Sequence, residues 1–147
     1  MVYPKPVALG HEVPVAIHQI YAQAAKCKFD APLAFAILIR KSLEAICDDR
    51  GIHKPKGKEG DLYHRLRMLQ ERGDIPSTLA KMTDVLRTLG NTAAHEAPDE
   101  ITVPMTWAID EFFRAIVEYV YIAPAKLETF QKRIRQGHVS GGVNARK

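Results

Sequence analysis

The sequence has 147 residues, of which 46% are hydrophobic and 26% charged, with a formal net charge of +4 at pH 7. These values fit one folded domain that needs neither metals nor disulfides for its core, and the charge alone is too small to indicate nucleic-acid binding. Because no apolar run approaches the roughly 18 residues of a membrane span and no secretory signal is present, we expect a cytoplasmic protein without membrane contact.

The N-terminal half predicts two helices after an irregular start. In residues 1–12, prolines and a glycine interrupt any regular spacing of apolar residues. A first helix is expected from about Pro14, which suits an initial turn, to about Cys27. A second, long amphipathic helix follows, with Asp30 as its predicted N-cap and Gly51 at its end.

The second helix carries a cation and a carboxylate beside its apolar face. Arg40 and Glu44 lie four residues apart, and Leu33 and Ile37 are among the positions expected to be buried. As a surface pair, Arg40 and Glu44 would contribute only a few tenths of a kcal/mol. If they are buried, they must be paired or hydrogen-bonded. A structural role and a share in a functional site both stay open here.

A loop rich in glycine, proline and lysine follows, with the sequence GIHKPKGKEG at residues 51–60. It is not a nucleotide-binding loop, because the glycine spacing is one residue too long and Glu59 stands where Ser or Thr should hold magnesium. Lys54, Lys56 and Lys58 are weak candidates for contacts with a phosphate backbone.

The C-terminal half predicts further helices. A short one covers 61–72, with Gly73 predicted to end it, and another begins at Ser77. Thr102 is the predicted cap of a strongly apolar helix, which Pro124 should kink or divide. A more polar helix with an apolar ridge then runs to residue 136, and we expect the basic residues 137–147 to be disordered.

These patterns indicate an all-α protein. No strand alternation and no internal repeat is present in the sequence. The predicted architecture is a single bundle of four to five helices over residues 13–136, with flexible N- and C-terminal tails.

The stretch with the strongest candidates for binding or catalytic side chains is TDVLRTLGNTAAHE, residues 83–96. Arg87, Asn91 and His95 recur every four residues, so on a helix they fall in one stripe. A cation, an amide and an imidazole in one stripe could bind an anion or move a proton. They are equally consistent with an ordinary half-exposed polar face.

The sequence lacks the motifs of several classes of enzyme. The six histidines form no H-E-x-x-H, no Cys/His set has zinc spacing, and G-x-S-x-G and G-x-G-x-x-G are absent. No metal or cofactor is therefore expected. Acid/base chemistry on a phosphodiester remains, because histidine exchanges protons near neutral pH and a guanidinium holds phosphate oxygens.

Two motifs together resemble a known family. Arg40-Lys-Ser-Leu-Glu44 is followed by Leu86-Arg87-Thr-Leu-Gly90-Asn91-Thr-Ala-Ala-His95. This spaced pair is similar to a prokaryotic domain-of-unknown-function family that is often joined to restriction-type nucleases and is placed in the HEPN superfamily. The resemblance covers roughly residues 13–122.

The resemblance implies a helical bundle that forms a homodimer. Many HEPN proteins are metal-independent ribonucleases of toxin–antitoxin and antiphage systems, in which the ribose 2′-hydroxyl attacks the adjacent phosphate. Others are noncatalytic and bind RNA, nucleotides or a protein partner such as an effector or antitoxin. Both interpretations apply to this chain as expectations.

Carried over by residue, the resemblance makes His95 the general acid or base and Asn91 the polar residue before it. Arg87 is the candidate for the family arginine, although it stands further from the histidine than in active members. A distortion at Gly90 would bring Arg87 into place, or Arg40 would substitute from the neighbouring helix. Without either, the scaffold would be kept and the cleavage activity lost.

Overall fold

The computed structural model describes residues 9–53, 62–80, 82, 85, 89 and 101–144. Within these residues the chain is helical and contains no strand, so the predicted all-α bundle is confirmed. The helices are α1 (Val15–Cys27), α2 (Pro32–Asp49), α3 (Leu62–Glu71), α4 (Ser77–Ala80), α5 (Val103–Val117) and α6 (Ala123–Asn144), with a π-helical segment, Glu118–Ile122, between α5 and α6.

The helix ends follow local chemistry. Gly51 and Gly73, the residues predicted to end α2 and the short helix after it, have positive φ angles of 77° and 83°, a conformation that glycine adopts without strain. Thr102 caps α5 as predicted, because its Oγ1 accepts a hydrogen bond from the Met105 backbone N–H at 3.3 Å. The prediction of Asp30 as the cap of α2 is wrong, since the N-cap is Ala31 and no side chain caps this helix.

Helix α2 is central, packing against α1, α3 and α5. Its buried face meets the apolar face of α5, and Phe113 of α5 stacks on Tyr21 of α1 with ring centroids 5.0 Å apart. The fully buried residues at the centre of this core are Phe35, Ile39, Leu43, Ile46, Leu66, Leu69, Phe112, Phe113 and Ile116. Leu33 and Ile37 were expected in this core and are instead exposed.

The predicted kink at Pro124 takes another form. Helical residues run without interruption from Val103 to Asn144, and the turn before the proline widens into a π-helix. The Ala123 N–H donates to the carbonyl of Glu118, five residues back. Because proline has no N–H and its ring crowds the preceding turn, a wider turn accommodates it without ending the helix.

Helix α6 also differs from the prediction at its C-terminal end. It continues to Asn144, whereas residues 137–147 were expected to be disordered. A glycine such as Gly137 costs a helix only about 1 kcal/mol relative to alanine, so it weakens an established helix without ending it. The domain limits 13–136 remain a prediction.

A buried arginine closes the core beside the basic loop. Arg65 of α3 is 1% exposed and donates hydrogen bonds to the Ile52 carbonyl, at 2.6 Å from Nη2, and to the carboxylate of Asp48. The Asp48 side chain itself is 62% exposed. Water therefore reaches the Asp48 carboxylate but has almost no access to the Arg65 guanidinium.

We predict that Arg65→Ala lowers the free energy of unfolding by about 3 kcal/mol, because it leaves a cavity and an unsatisfied buried carbonyl. The matched control Glu71→Ala should cost less than about 1 kcal/mol, because the ion pair of Glu71 with Arg67 is exposed to water. Urea unfolding of both variants tests this. Equal losses would contradict a stabilising role of the buried guanidinium.

Candidate functional site

The R-x-x-x-E element of α2 forms an ion pair within the helix. Arg40 Nε lies 2.9 Å from Glu44 Oε1, with the two side chains 13% and 26% exposed. The spacing of four residues places both on one face of α2. Because the pair is largely removed from water, it is screened less than a surface pair and holds the guanidinium in one orientation.

The same guanidinium reaches the segment that leads into the second motif. Arg40 Nη1 donates to the carbonyl oxygen of Leu89 at 3.1 Å. Leu89 is fully buried and helical, and it directly precedes Gly90, where the G-N-x-A-A-H motif begins. The two motifs of the sequence resemblance are therefore in direct contact at Leu89, with Arg40 as the link.

Most of the predicted site residues lie outside the described part of the chain. Arg87, Asn91 and His95 fall there, as do the loop lysines Lys54, Lys56 and Lys58. Of the predicted set, Arg40 and Glu44 are described, and they lie together as the spacing predicts.

Sequence reasoning missed a second polar cluster, centred on Asp110 of α5. This carboxylate is almost fully buried, and it accepts hydrogen bonds from Tyr21 Oη at 2.7 Å, Lys28 Nζ at 3.1 Å and Arg114 Nε at 3.1 Å. Arg114 Nη2 also donates to Tyr21 Oη at 2.7 Å. The signal in the sequence was a lone carboxylate within the most apolar helix face, since a buried charge requires partners.

Burial and hydrogen bonding oppose each other at this cluster. Burial alone raises the pKa of the Asp110 carboxyl, but the hydrogen bonds from Tyr21, Lys28 and Arg114 outweigh it and hold the pKa below its usual value. Burial and the neighbouring Asp110 raise the pKa of Tyr21. At neutral pH the carboxylate is thus ionised and the phenol neutral, so with both cations the cluster carries a net charge of +1.

The outer edge of this cluster is aromatic. Lys28 Nζ lies 4.0 Å from the ring centroid of Trp107, and the Phe29 ring meets Trp107 edge-on with centroids 6.3 Å apart. Trp107 and Phe29 are about half exposed. Lys28 and Asp110 thus connect α5 with the turn after α1. The cluster has the features of a structural contact and does not pair a nucleophile with a base.

The described residues were also compared with the requirements of a metal site and of a membrane span. They contain no group of three or more His, Cys, Asp or Glu side chains placed to hold a metal ion. None of the helices in them is both long and apolar enough to cross a membrane. Both cysteines are free thiols, and burial raises the pKa of Cys47 to about 11, which makes it an unreactive core residue.

We predict that Asp110→Asn lowers the free energy of unfolding at pH 7 by about 3 kcal/mol, because two cations lose a buried counter-charge. The folded pKa of Asp110 is lowered, so its stabilisation exists above the unfolded value of about 3.9 and is lost as the pH falls further. The difference between wild type and variant in urea unfolding should therefore shrink below about pH 4.

Glu128→Gln serves as the control, since this exposed carboxylate lies 3.5 Å from Lys132 on α6. Its effect should stay under about 1 kcal/mol. A deficit of Asp110→Asn that is constant from pH 7 to pH 3 would show that lost packing, rather than lost charge, is responsible.

Comparison with known protein families identifies the family of this chain. The family described as a domain of unknown function, DUF4145, matches residues 22–135, a range that includes both motifs and Asp110. No curated protein and no solved structure matches the chain. The prediction of a domain-of-unknown-function family is confirmed, while the placement in the HEPN superfamily remains a prediction. With most of its length matched, this chain belongs to the DUF4145 family.

Proposed function

We propose that this protein is a HEPN-like, RNA-directed protein and a metal-independent ribonuclease of a prokaryotic defence or toxin-type system. The observation that carries the proposal is the contact of Arg40 with both Glu44 and the Leu89 carbonyl. It supports the proposal because it brings together in the fold the two motifs on which the resemblance to the family depends.

In the proposed reaction, His95 handles the protons of an internal transfer. The 2′-hydroxyl oxygen forms a bond to the adjacent phosphorus while the bond from phosphorus to the 5′-oxygen breaks. One histidine accepts the 2′ proton and a second, protonated histidine supplies a proton to the leaving 5′-oxygen. A homodimer with two copies of His95 in one cleft provides both, and the products are a 2′,3′-cyclic phosphate and a 5′-hydroxyl.

Arg87 and Asn91 act on the phosphate in this proposal. A planar guanidinium can hold two phosphate oxygens and stabilise the charge that develops on them. The amide of Asn91 orients the phosphate or the ribose. Lys54, Lys56 and Lys58 add weak contacts to neighbouring phosphates along the RNA.

Arg40 is a positioning residue in this proposal rather than a substitute for Arg87. Its guanidinium is bonded to Glu44 and to Leu89, and its side chain is only 13% exposed. To bind a substrate phosphate it would have to leave a buried carbonyl unsatisfied, which costs about 1–3 kcal/mol.

A second candidate function is a noncatalytic module that binds a protein partner, RNA or a nucleotide. The Arg40–Glu44–Leu89 contact also favours this alternative, because it is sufficient as a device for helix packing without any chemistry at His95. The two candidates differ in whether the chain itself cleaves RNA, so kinetics can separate them.

We predict that purified wild type cleaves single-stranded RNA in EDTA and that His95→Ala lowers the initial rate by about 10²–10⁴-fold, the usual contribution of a general acid or base. His53→Ala is the matched control, since His53 is an exposed histidine at the edge of the basic loop. Equal rates for wild type and His95→Ala would exclude His95 as the acid or base. Absence of cleavage by wild type would favour the noncatalytic module.

Arg40→Ala should lower the free energy of unfolding by about 2 kcal/mol, because the Leu89 carbonyl loses its donor. We further expect Arg40→Lys to restore little, since one ammonium cannot reproduce the forked geometry that reaches Glu44 and Leu89 at once.

A readout beyond stability is the pH–rate profile, measured where each Arg40 variant is fully folded. If Arg40 positions the segment of His95, both variants shift the apparent pKa values of the profile. An unchanged profile with wild-type rates would leave Arg40 with a packing role only.

A further inference from the structure

Most of helix α6 lies outside the bundle. Every residue from 126 to 137 is exposed, although these residues form three turns of regular helix. The principal contacts of α6 among the described elements are with the π-helical segment that precedes it in sequence. A helix of a folded domain ordinarily stabilises itself by packing an apolar face against other elements, and this one does not.

Helix α6 nevertheless has an apolar face. Leu127, Phe130 and Ile134 are 61%, 60% and 52% exposed. With about 100° per residue, the three side chains lie in a stripe about 60° wide along the helix. We call these residues the α6 ridge. Large apolar side chains arranged at helical spacing and exposed together indicate a surface that another molecule covers.

Positive charge borders the ridge on one side. Lys126 and Arg133 lie along this border, and Lys126 Nζ is 3.9 Å from Glu118 Oε1. The other border is formed by Gln131, and Arg135 and Glu128 lie together behind it because they are seven residues apart. Residues 126–137 carry four cations and one carboxylate, so this segment has an excess of positive charge.

A cleft of about 400 Å³ lies between the first turns of α6 and the loop before α1. Phe130 of the ridge forms part of its wall, together with Lys126, Arg133, His11 and Glu12. His11 Nε2 lies 3.5 Å from Glu12 Oε1. The cleft thus offers one apolar wall, two cations from α6 and one carboxylate next to the ridge. A side chain of an occupant could extend into it from the ridge.

We propose that α6 is the docking site for an amphipathic α-helix with an acidic border, supplied by a partner protein. The apolar stripe of such a helix covers Leu127, Phe130 and Ile134, and its Asp or Glu side chains meet Lys126 and Arg133. Twelve exposed residues at about 1.5 Å each give a contact about 18 Å long, which corresponds to three turns of the partner. The proposal is independent of the ribonuclease activity.

A second copy of this chain is a poorer occupant. In an antiparallel pair of helices each border meets the same border of the other copy, so Lys126 and Arg133 would face themselves. In a parallel pair the two borders meet each other, so Lys126 and Arg133 would face Gln131 and gain no counter-charge. Neither arrangement neutralises the positive border. A nucleic acid would satisfy the cations but leave the ridge exposed to water.

The test uses two designed peptides about 18 residues long with the same leucine stripe, one with glutamate borders and one with lysine borders. Binding to the full chain is measured by fluorescence anisotropy of the labelled peptides. The glutamate peptide should bind at least about ten-fold more tightly, and its affinity should fall as salt rises. Phe130→Ser should weaken it about 30-fold, as for an anchor residue.

Two matched variants complete the design. Val15→Ser removes an exposed apolar side chain of α1 and should leave peptide binding unchanged. The double variant Lys126→Glu with Arg133→Glu should reverse the preference toward the lysine peptide. All substituted side chains are exposed, so circular dichroism should show the same helix content as wild type.

Three results would overturn the proposal. If neither peptide binds, or if both bind equally, the ridge has no acidic helical partner. If Phe130→Ser turns a self-associating protein into monomers in sedimentation while the glutamate peptide shows no preference, a second copy covers the ridge. If single-stranded RNA displaces the glutamate peptide and its binding also depends on Phe130, the surface binds nucleic acid.

Discussion

A single guanidinium connects the central helix α2 with residue 89 of the segment 83–96, in which the sequence places its candidate catalytic residues. Arg40 contributes one nitrogen to Glu44 on its own helix and another to the carbonyl of Leu89. The first contact fixes the side chain and the second fixes a backbone position one residue before Gly90. Lysine could not make both contacts, because its ammonium has no fixed fork. The R-x-x-x-E spacing therefore has a physical purpose, whether or not the protein cleaves RNA.

The bundle uses the same principle at two other places. Asp110 ties α5 to α1 and to the turn that follows it, and Arg65 ties α3 to the chain after α2. In each case a buried charge has several hydrogen-bond partners from distant parts of the sequence. Such contacts add little net stability compared with apolar packing, but removing one partner is costly. They restrict how the helices can be arranged around the apolar core.

The parts of the fold that local chemistry controls could be predicted from the sequence. Thr102 as a cap and Gly51 and Gly73 as helix ends need only their immediate neighbours. The exposure of Leu33 and Ile37 could not be predicted, because it depends on which helices pack against α2. The expectation of disorder in residues 137–147 was based on their small apolar surface, which argues against a packed element but does not stop an established helix from continuing to Asn144.

The candidate site was predictable in part for the same reason. Four-residue spacing was enough to place Arg40 beside Glu44. The contact with Leu89 joins residues 49 positions apart, and no periodicity contains that information. The partners of Asp110 are at least 82 residues away apart from Arg114, so the sequence could show only that this carboxylate needed partners.

The proposed activity is a phosphoryl transfer that starts from the ribose 2′-hydroxyl. The most direct measurement compares a single-stranded RNA with the same sequence carrying 2′-O-methyl groups, in EDTA, with identification of the product ends. We predict cleavage of the unmodified RNA alone, with a 2′,3′-cyclic phosphate on one product and a 5′-hydroxyl on the other. Cleavage of the methylated strand at the same rate, or of neither strand, would contradict it.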